Sequence, residues 1–299
     1  MLKIGLIAEF NPFHNGHKYL IDAIKSKYPN SYLIVALSSD YVQRGELAVA
    51  SFEDRKKIAL ENGVDEVIEL DFLTSTQAAH IFAKGSIDLL LKNGIQKLAF
   101  GVSDTDDINF YLHCAKKIKE NLVQYNTELK SFLKKGYSFV FSSFEALKII
   151  LASEVVPADI LGFEYVKYIV DNNLDLEPIC IKRTVSHGSL TLSKQYASAT
   201  YLRELLREGK DISQYSPMKV SFPIMKIEDR YSEFQEIVKN NDENWLKNIV
   251  LMSEGMENLF KKNIDASNYD EFVDRCTSRR YTKSRIKRVI LYVLLKIQK

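Results

Sequence analysis

The chain has 299 residues, of which 46% are hydrophobic and 27% charged, a balance typical of a folded globular protein rather than a disordered or fibrous one. Its net charge of +2 is too small to indicate a nucleic-acid partner by itself. Three widely spaced cysteines, Cys114, Cys180 and Cys276, form no metal-binding or disulfide pattern and fit a reducing cytoplasm. No apolar run approaches the roughly 18 residues of a membrane span. We therefore expect a cytoplasmic protein with no membrane partner.

The first hundred residues alternate between short apolar runs and helical patterns. We predict strands at residues 3–8, 31–38, 66–70 and 97–100, and helices at 16–27, 51–62 and 76–92. Short apolar strands separated by helices are joined by right-handed crossovers and form a parallel sheet. The sequence thus predicts an α/β fold with a doubly wound parallel sheet.

Helical patterns predominate after Gly101. They cover residues 106–135, 143–152, 160–171 and 198–208, with one more strand at 177–183. Beyond Asp229 the pattern predicts only helices, at residues 233–239, 245–262 and 282–297. Because Pro217 and Pro223 interrupt the pattern, we predict two domains, a catalytic nucleotide-binding domain at residues 1–220 and an α-helical domain at 221–299.

The turn after the first predicted strand carries two histidines that flank a glycine, in the order His14-Asn15-Gly16-His17. In a parallel sheet this turn lies at the carboxyl end of a strand and at a helix N-terminus, where ligands bind and the helix dipole favours anions. Both imidazoles can donate N–H groups to a phosphate, and Gly16 allows a nucleotide to approach the backbone. The alternative is that the histidines only cap the helix. Their position directly after the first strand favours a phosphate site.

A second phosphate site is predicted where the helix at 198–208 begins. Hydroxyl groups of Ser198 and Thr200, together with free helix N–H groups, would hold β- and γ-phosphates, and Arg203 adds positive charge. Serine at a helix start is also an ordinary cap. The prediction therefore depends on this segment and the histidine motif occurring together.

Both motifs resemble those of the nucleotidyltransferase superfamily, which has an HxGH signature and a Rossmann-like fold. Further segments narrow the resemblance to the tRNA(Met) cytidine acetate ligases: IAEFNPFHNGH, YVQRGE from Tyr41, Phe100-Gly101, ILGFEY from Ile160, SATYLR, and RRYTKSRIKR near the C-terminus. The resemblance covers essentially the whole chain. It implies a ligase that activates acetate with ATP to acetyl-adenylate and acetylates the N4 amine of the wobble cytidine of elongator tRNA(Met), releasing AMP and pyrophosphate.

The resemblance also implies the site residues. His14, His17, Ser198, Thr200 and Arg203 are expected to be catalytic by stabilising charge on the phosphoryl groups. Mg²⁺ is expected to accompany ATP, although no carboxylate cluster predicts a metal site in the protein. The residues implied to bind ATP are Ile7, Ala8, Glu9, Phe10, Asn11, Pro12, Phe13, His14, Asn15, Gly16, His17, Lys18, Tyr19, Leu20, Gly101, Asp159 and Arg183.

The chain departs from the family pattern at several positions. Asp159 stands where the family has asparagine, and Leu47 and Phe52 stand where proline and lysine are usual. Ser186-His187 replaces a Tyr-His pair, and family members continue beyond the last predicted helix. These departures bear on substrate placement more than on ATP binding.

Positive charge is concentrated at the C-terminal end, because the segment from Arg275 to Lys299 contains no acidic residue. Apolar residues of the last predicted helix recur on one face, whereas Arg285, Arg288, Lys296 and Lys299 fall on another face with Tyr292. Charge of one sign suits a phosphate backbone, although a solvated charged face is the alternative. We predict tRNA contacts from Arg279, Arg280, Lys283, Arg285, Lys287 and Arg288.

Two other functions remain open. A small-molecule adenylyl- or cytidylyltransferase would use the same phosphate motifs, but it has no need of a basic helical domain. A non-catalytic nucleotide- and RNA-binding module fits the departures at Leu47, Phe52 and Asp159, although His14 and His17 favour catalysis. The expected partners are ATP, acetate and elongator tRNA(Met), and the sequence specifies no oligomeric state.

Overall fold

The computed structural model describes residues 1–152, 155–183 and 195–299, so that Ser186 and His187 lie outside the described residues. Five parallel strands form one sheet in the order β3-β2-β1-β4-β5. These strands are β1 (Lys3–Ala8), β2 (Tyr32–Ser38), β3 (Glu66–Leu70), β4 (Lys97–Val102) and β5 (Glu177–Lys182). The predicted α/β fold is confirmed.

Helices cover both faces of the sheet, so the central strands read as continuous apolar runs. The helices up to residue 207 are α1 (Asn15–Lys27), α2 (Phe52–Glu61), α3 (Phe72–Ser75), α4 (Ala79–Lys92), α5 (Ile108–Glu120), α6 (Leu122–Lys134), α7 (Phe139–Leu151), α8 (Ile160–Asp171) and α9 (Ala199–Arg207). The chain runs outward from β1 to β3 on one side and resumes at β4 on the other. The strand order therefore reverses between β1 and β4, which is where doubly wound sheets bind ligands.

A helical part follows a short 3₁₀ turn at Glu228–Arg230. It consists of α10 (Tyr231–Asn240), α11 (Glu243–Asn248), α12 (Met256–Asn263), α13 (Tyr269–Cys276) and α14 (Lys283–Leu294). These helices enclose their own apolar core, to which Tyr41, Leu47 and Phe72 of the α/β part also contribute. The helical part thus packs directly on the sheet part, and the division at residue 220 stays a prediction.

Several predicted helix boundaries are wrong, each for a local reason. The helix predicted at 106–135 is two helices, because the chain turns at Asn121. The helix predicted at 245–262 is also two, and Gly255 has a left-handed φ of 82° immediately before α12. Helix α13 was not predicted from the sequence. It has only eight residues and is capped by the Asn268 side chain, which accepts a hydrogen bond from the Glu271 N–H at 2.9 Å.

Candidate active site

A cavity of about 250 Å³ opens where the strand order reverses. Its walls come from β1 and the turn after it, residues 42–46, and the starts of α8 and α9. The residues implied to bind ATP that line it are Ile7, Ala8, Glu9, Phe10, Asn11, His14, Gly16, His17, Tyr19, Leu20, Gly101, Asp159 and Arg183. Pro12, Phe13, Asn15 and Lys18 are not among the lining residues. Phe13 is fully buried, and the Asn15 amide donates to the Gln195 and Gln214 carbonyls.

The two histidines form a reciprocal cap at the start of α1. Nδ1 of His14 accepts from the Gly16 N–H at 3.1 Å, and Nδ1 of His17 accepts from the His14 N–H at 3.2 Å. Because Nδ1 is an acceptor in both rings, a neutral imidazole carries its proton on Nε2. The rings stack with centroids 3.7 Å apart. The fold therefore fixes both tautomers, with Nε2–H in each ring, and both histidines line the cavity.

Burial lowers the pKa of His17 well below its ordinary value, and His14 and Arg183 lower it further. His17 is consequently neutral in the folded protein near neutral pH. Capping and phosphate binding are compatible functions of this motif, since the capping hydrogen bonds use Nδ1 of each ring and not Nε2.

Arg183, Asp159 and Gly101 form the wall at the ends of β4 and β5. Nη2 of Arg183 lies 3.2 Å from an oxygen of buried Asp159, whose other oxygen accepts from the Gly162 N–H at 3.1 Å and caps α8. A side chain at Gly101 would place its first carbon 3.0 Å from Nε of Arg183. Glycine at 101 therefore leaves room for Arg183, and aspartate at 159 gives this arginine an ion-pair partner.

The predicted second phosphate motif reaches the same cavity through Ser198 and Arg203. The Ser198 hydroxyl caps α9 by accepting from the Tyr201 N–H at 3.2 Å. Arg203 donates to the Asn11 carbonyl at 2.8 Å and to the Thr200 hydroxyl at 3.4 Å. Thr200 is not among the lining residues and lies behind Arg203. The start of α9 and the turn after β1 are thus joined directly.

Arg55 was not predicted as a site residue, yet it binds the backbone at the strand ends beside the cavity. Its fully buried guanidinium donates to the carbonyls of Glu9 at 2.7 Å, Ser38 at 3.0 Å and Ser39 at 2.7 Å. It therefore ties the carboxyl ends of β1 and β2 together. In sequence Arg55 stands in the polar run Glu53-Asp54-Arg55-Lys56-Lys57, which is typical of an exposed helix face.

Residues 42–46 connect the cavity to the helical part. Val42, Gln43, Arg44 and Glu46 line the cavity, and the Gln43 N–H donates to Glu9 Oε1 at 2.9 Å. Burial raises the pKa of the Glu9 carboxyl, against the opposing effect of this hydrogen bond. The other side of residues 42–46 is in contact with α14.

Two of the residues predicted to contact tRNA, Lys287 and Arg288, make these contacts from α14. Arg288 is 8% exposed, and its Nη1 donates to the Gln43 carbonyl at 3.2 Å. Lys287 pairs with Glu46 at 2.7 Å. Burial alone would raise the pKa of Glu46, but Lys287 and Arg203 lower it below its ordinary value. The expectation that Arg288 and Tyr292 share an open face is wrong, because Tyr292 is buried with its hydroxyl 2.9 Å from the Thr76 hydroxyl.

The other four cations predicted to contact tRNA lie at or near the surface. Arg279 and Arg280 are exposed, and Lys283 pairs with Asp274. Arg285 approaches Glu254 at 3.3 Å and donates to the Ser253 hydroxyl at 2.7 Å. Acidic residues from outside the 275–299 segment thus balance part of its charge.

Among the residues that the structure describes, no group of three or more His, Cys, Asp or Glu side chains is placed to hold a metal ion. None of the helices in the described ranges is long and apolar enough to cross a membrane.

The whole chain, residues 1–299, matches the family model of the HIGH nucleotidyl transferases. A tRNA(Met) cytidine acetate ligase from Mycoplasma mobile is 51% identical over 301 residues, with all of both chains covered. One from Mycoplasmopsis pulmonis is 50% identical over 298 residues, covering 99% of this chain and all of the relative. The chain belongs to the tRNA(Met) cytidine acetate ligase family. The resemblance seen in the sequence is confirmed.

Solved structures agree with this membership. The crystal structure of Thermotoga maritima TmcAL without ligand has a TM-score of 0.87 and 28% identity, covering 100% of this chain and 76% of that one. The same protein bound with alpha-thio ATP gives a TM-score of 0.86 and 27% identity, with the same coverage. This family therefore combines the sheet part and the helical part in the arrangement described above.

Proposed function

We propose that the chain activates acetate with ATP and transfers the acetyl group to the N4 amine of the wobble cytidine of elongator tRNA(Met). The observation that carries this proposal is the meeting, in one cavity, of the two Nε2–H donors of His14 and His17 with the capped start of α9 and Arg203. Family membership supplies the substrate class, since the relatives are named tRNA(Met) cytidine acetate ligases and TmcAL has been crystallised with an ATP analogue.

In the first step an acetate oxygen attacks the α-phosphorus of ATP, and the bond to the β-phosphate oxygen breaks. The products are acetyl-adenylate and pyrophosphate. His14 and His17 donate from Nε2 to the phosphoryl oxygens on which charge develops. Arg203, which donates to the Thr200 hydroxyl, and the N-terminus of α9 with the Ser198 hydroxyl stabilise the leaving pyrophosphate. Mg²⁺ bound to the triphosphate oxygens would neutralise part of their charge.

In the second step the cytidine N4 amine attacks the acetyl carbonyl carbon. The bond between that carbon and the oxygen it shares with the phosphate breaks, AMP leaves, and the amine gives up one proton to solvent. The exposed cations Arg279, Arg280 and Lys283, with the half-buried Arg285, hold the tRNA through its phosphates, because each contact releases condensed counterions. The protein acts in the cytoplasm, where ATP, acetate and tRNA are all present.

The experiment that tests the chemistry follows one atom. With ¹⁸O-labelled acetate, ATP and tRNA, the proposal requires one ¹⁸O atom in the phosphate of AMP, because the bridging oxygen comes from acetate. A small-molecule nucleotidyltransferase would transfer the nucleotidyl group to another acceptor, release pyrophosphate and form no ¹⁸O-labelled AMP. A non-catalytic binding module would form no AMP. Either result would reject the proposal.

A further inference from the structure

The first turn of α7 projects large apolar side chains into solvent. Phe139, Val140 and Phe141 are consecutive and are 40%, 45% and 41% exposed. Successive helix residues point about 100° apart, so three such neighbours cannot share one packed face. The buried residues of α7 are Ser142, Ala146 and Leu147. This helix turns mostly small side chains inward and large aromatic ones outward, which is the reverse of an ordinary packing helix.

Aromatic rings and cations alternate around this turn. Tyr137 stacks on Phe141 with centroids 4.4 Å apart and planes 17° from parallel. The Arg279 guanidinium lies 4.9 Å from the centroid of Tyr137. Lys148 lies 4.7 Å from the centroid of Phe144. We call Tyr137, Phe139, Phe141 and Phe144 the aromatic surface.

The aromatic surface reaches from the basic segment to helix α4. At one end it meets Arg279 through Tyr137. At the other end the Phe139 ring lies 4.7 Å from that of His80, in the first turn of α4. Helix α4 also contributes Phe82 to the lining of the ATP cavity. The aromatic surface therefore joins the basic segment to a helix that forms part of the cavity wall.

We propose that the aromatic surface binds unpaired bases of the tRNA anticodon loop by stacking. This inference rests on the proposed function and extends it to the recognition of the loop. Single-stranded RNA is bound by aromatic side chains and arginine planes that stack on splayed bases, with cations along the backbone. An enzyme that acts on a wobble base must hold the neighbouring bases close to its cavity.

The charges favour RNA over a second copy of the chain. In a two-fold dimer the same patch would meet itself. Lys148 is paired with Glu145 at 3.0 Å, but the exposed Arg279 brings the positive charge of the basic segment to the patch, and a second copy would bring the same charge, which is unfavourable. A polyanion with exposed base faces complements both the rings and the cations.

The test compares Phe139→Ala/Phe141→Ala with Phe222→Ala, which removes an equally large side chain that is 57% exposed at a different place. Binding of a labelled hairpin RNA with the anticodon arm of elongator tRNA(Met) is measured by fluorescence anisotropy at several salt concentrations, without ATP or acetate. We expect the double variant to bind at least about 10-fold more weakly. Its salt slope should be unchanged, whereas Arg279→Gln should lower that slope by about one.

Three results would overturn the inference: affinity equal to that of Phe222→Ala, a dimer of the wild-type protein that the double substitution dissociates, or binding of anionic phospholipid vesicles in preference to the hairpin.

Because binding is measured without the reaction, a protein that binds the hairpin but forms no acetylcytidine refutes only the proposed function. Far-UV circular dichroism and thermal unfolding report folding of the double variant. If the variant does not fold, Phe141→Trp replaces it. Its fluorescence should then be quenched by the hairpin, and that of Phe222→Trp should not; equal responses would reject the inference.

Discussion

Arg288 of α14 donates to the carbonyl of Gln43, a residue that lines the ATP cavity. The neighbouring Gly45 has a φ of 78°, and a side chain there would place its first carbon 2.6 Å from the Arg288 backbone nitrogen. The last helix and the cavity wall are therefore in direct contact. Part of the basic helix that the sequence associates with tRNA supports the adenylation site instead.

The first prediction concerns this contact. Arg288→Met keeps most of the side-chain volume but removes the hydrogen bond that holds the Gln43 carbonyl, so this part of the cavity wall should shift. Small displacements of groups that position a substrate cost up to about 100-fold in rate. We expect acetate-dependent exchange of pyrophosphate into ATP, measured without tRNA, to fall on the order of 10- to 100-fold.

Lys283→Met is the matched control, because it removes an exposed cation from the first turn of the same helix. Exchange should stay at the wild-type rate, and the salt slope of tRNA binding should become shallower by about one if Lys283 contacts a phosphate. Normal exchange in folded Arg288→Met would mean that α14 does not support the cavity.

The second prediction tests the same interface through the backbone. Gly45→Ala and Gly255→Ala both place a side chain at a left-handed φ, which costs roughly 1–2 kcal/mol. At Gly255 no atom lies within 4 Å of the added carbon, whereas at Gly45 it collides with the Arg288 backbone. Urea unfolding should show the larger loss for Gly45→Ala, and adenylation should fall only in that variant. Equal effects of the two substitutions on stability and on adenylation would show that the close approach of Gly45 to the Arg288 backbone has no consequence.

The third prediction separates capping from catalysis at His17. His17→Ala removes both the cap of the His14 N–H and the Nε2–H donor. His17→Gln restores a capping side chain of the type favoured at this position, without an imidazole. The midpoint temperature of thermal unfolding should be lower for His17→Ala than for the wild-type protein, and it should recover in His17→Gln. Adenylation should be about 100- to 1000-fold slower in both. Recovery of the rate together with stability would assign His17 a structural role only.

The fourth prediction follows from the lowered pKa of His17. The unfolded protein binds a proton at this residue near the ordinary histidine pKa of about 6.5, whereas the folded protein does not. The contribution of neutral His17 to the free energy of unfolding is therefore fully present above that pH. It is lost as pH falls below it, by at most about 1.4 kcal/mol per pH unit.

Urea unfolding between about pH 7.5 and 5.5 checks this effect, with His17→Gln as the reference. Burial also lowers the pKa of His80, and His80 is present in both proteins, so its contribution cancels in the comparison. The wild-type protein should lose more stability than His17→Gln over this interval. Parallel curves would contradict a His17 that is neutral in the folded protein.

The sequence predicts the part of the site that depends on local order. Strand, histidine motif and helix follow one another between Lys3 and Lys27, and periodicity with capping chemistry determines all three. The start of α9 is predictable for the same reason. The order of the strands then places both motifs at one edge of the sheet.

Contacts between distant segments were not predictable in this way. Arg55 stands in a polar helical run, yet it is fully buried and donates hydrogen bonds to three carbonyls at the ends of β1 and β2. Arg288 has the same spacing as its basic neighbours, but the loop at Gly45 covers it. Periodicity describes one element at a time, and the burial of these two cations depends on which second element packs there.

The most direct test of the central claim is the incubation of the protein with ATP, ¹³C-labelled acetate and a mixture of tRNAs, followed by nuclease digestion and mass spectrometry. The proposed function predicts labelled N4-acetylcytidine at the wobble position of elongator tRNA(Met), dependent on both ATP and acetate, and absent with His17→Ala. Labelled acetylcytidine in other tRNAs to the same extent would contradict the substrate. Its absence from every tRNA, with active and folded protein, would contradict the function.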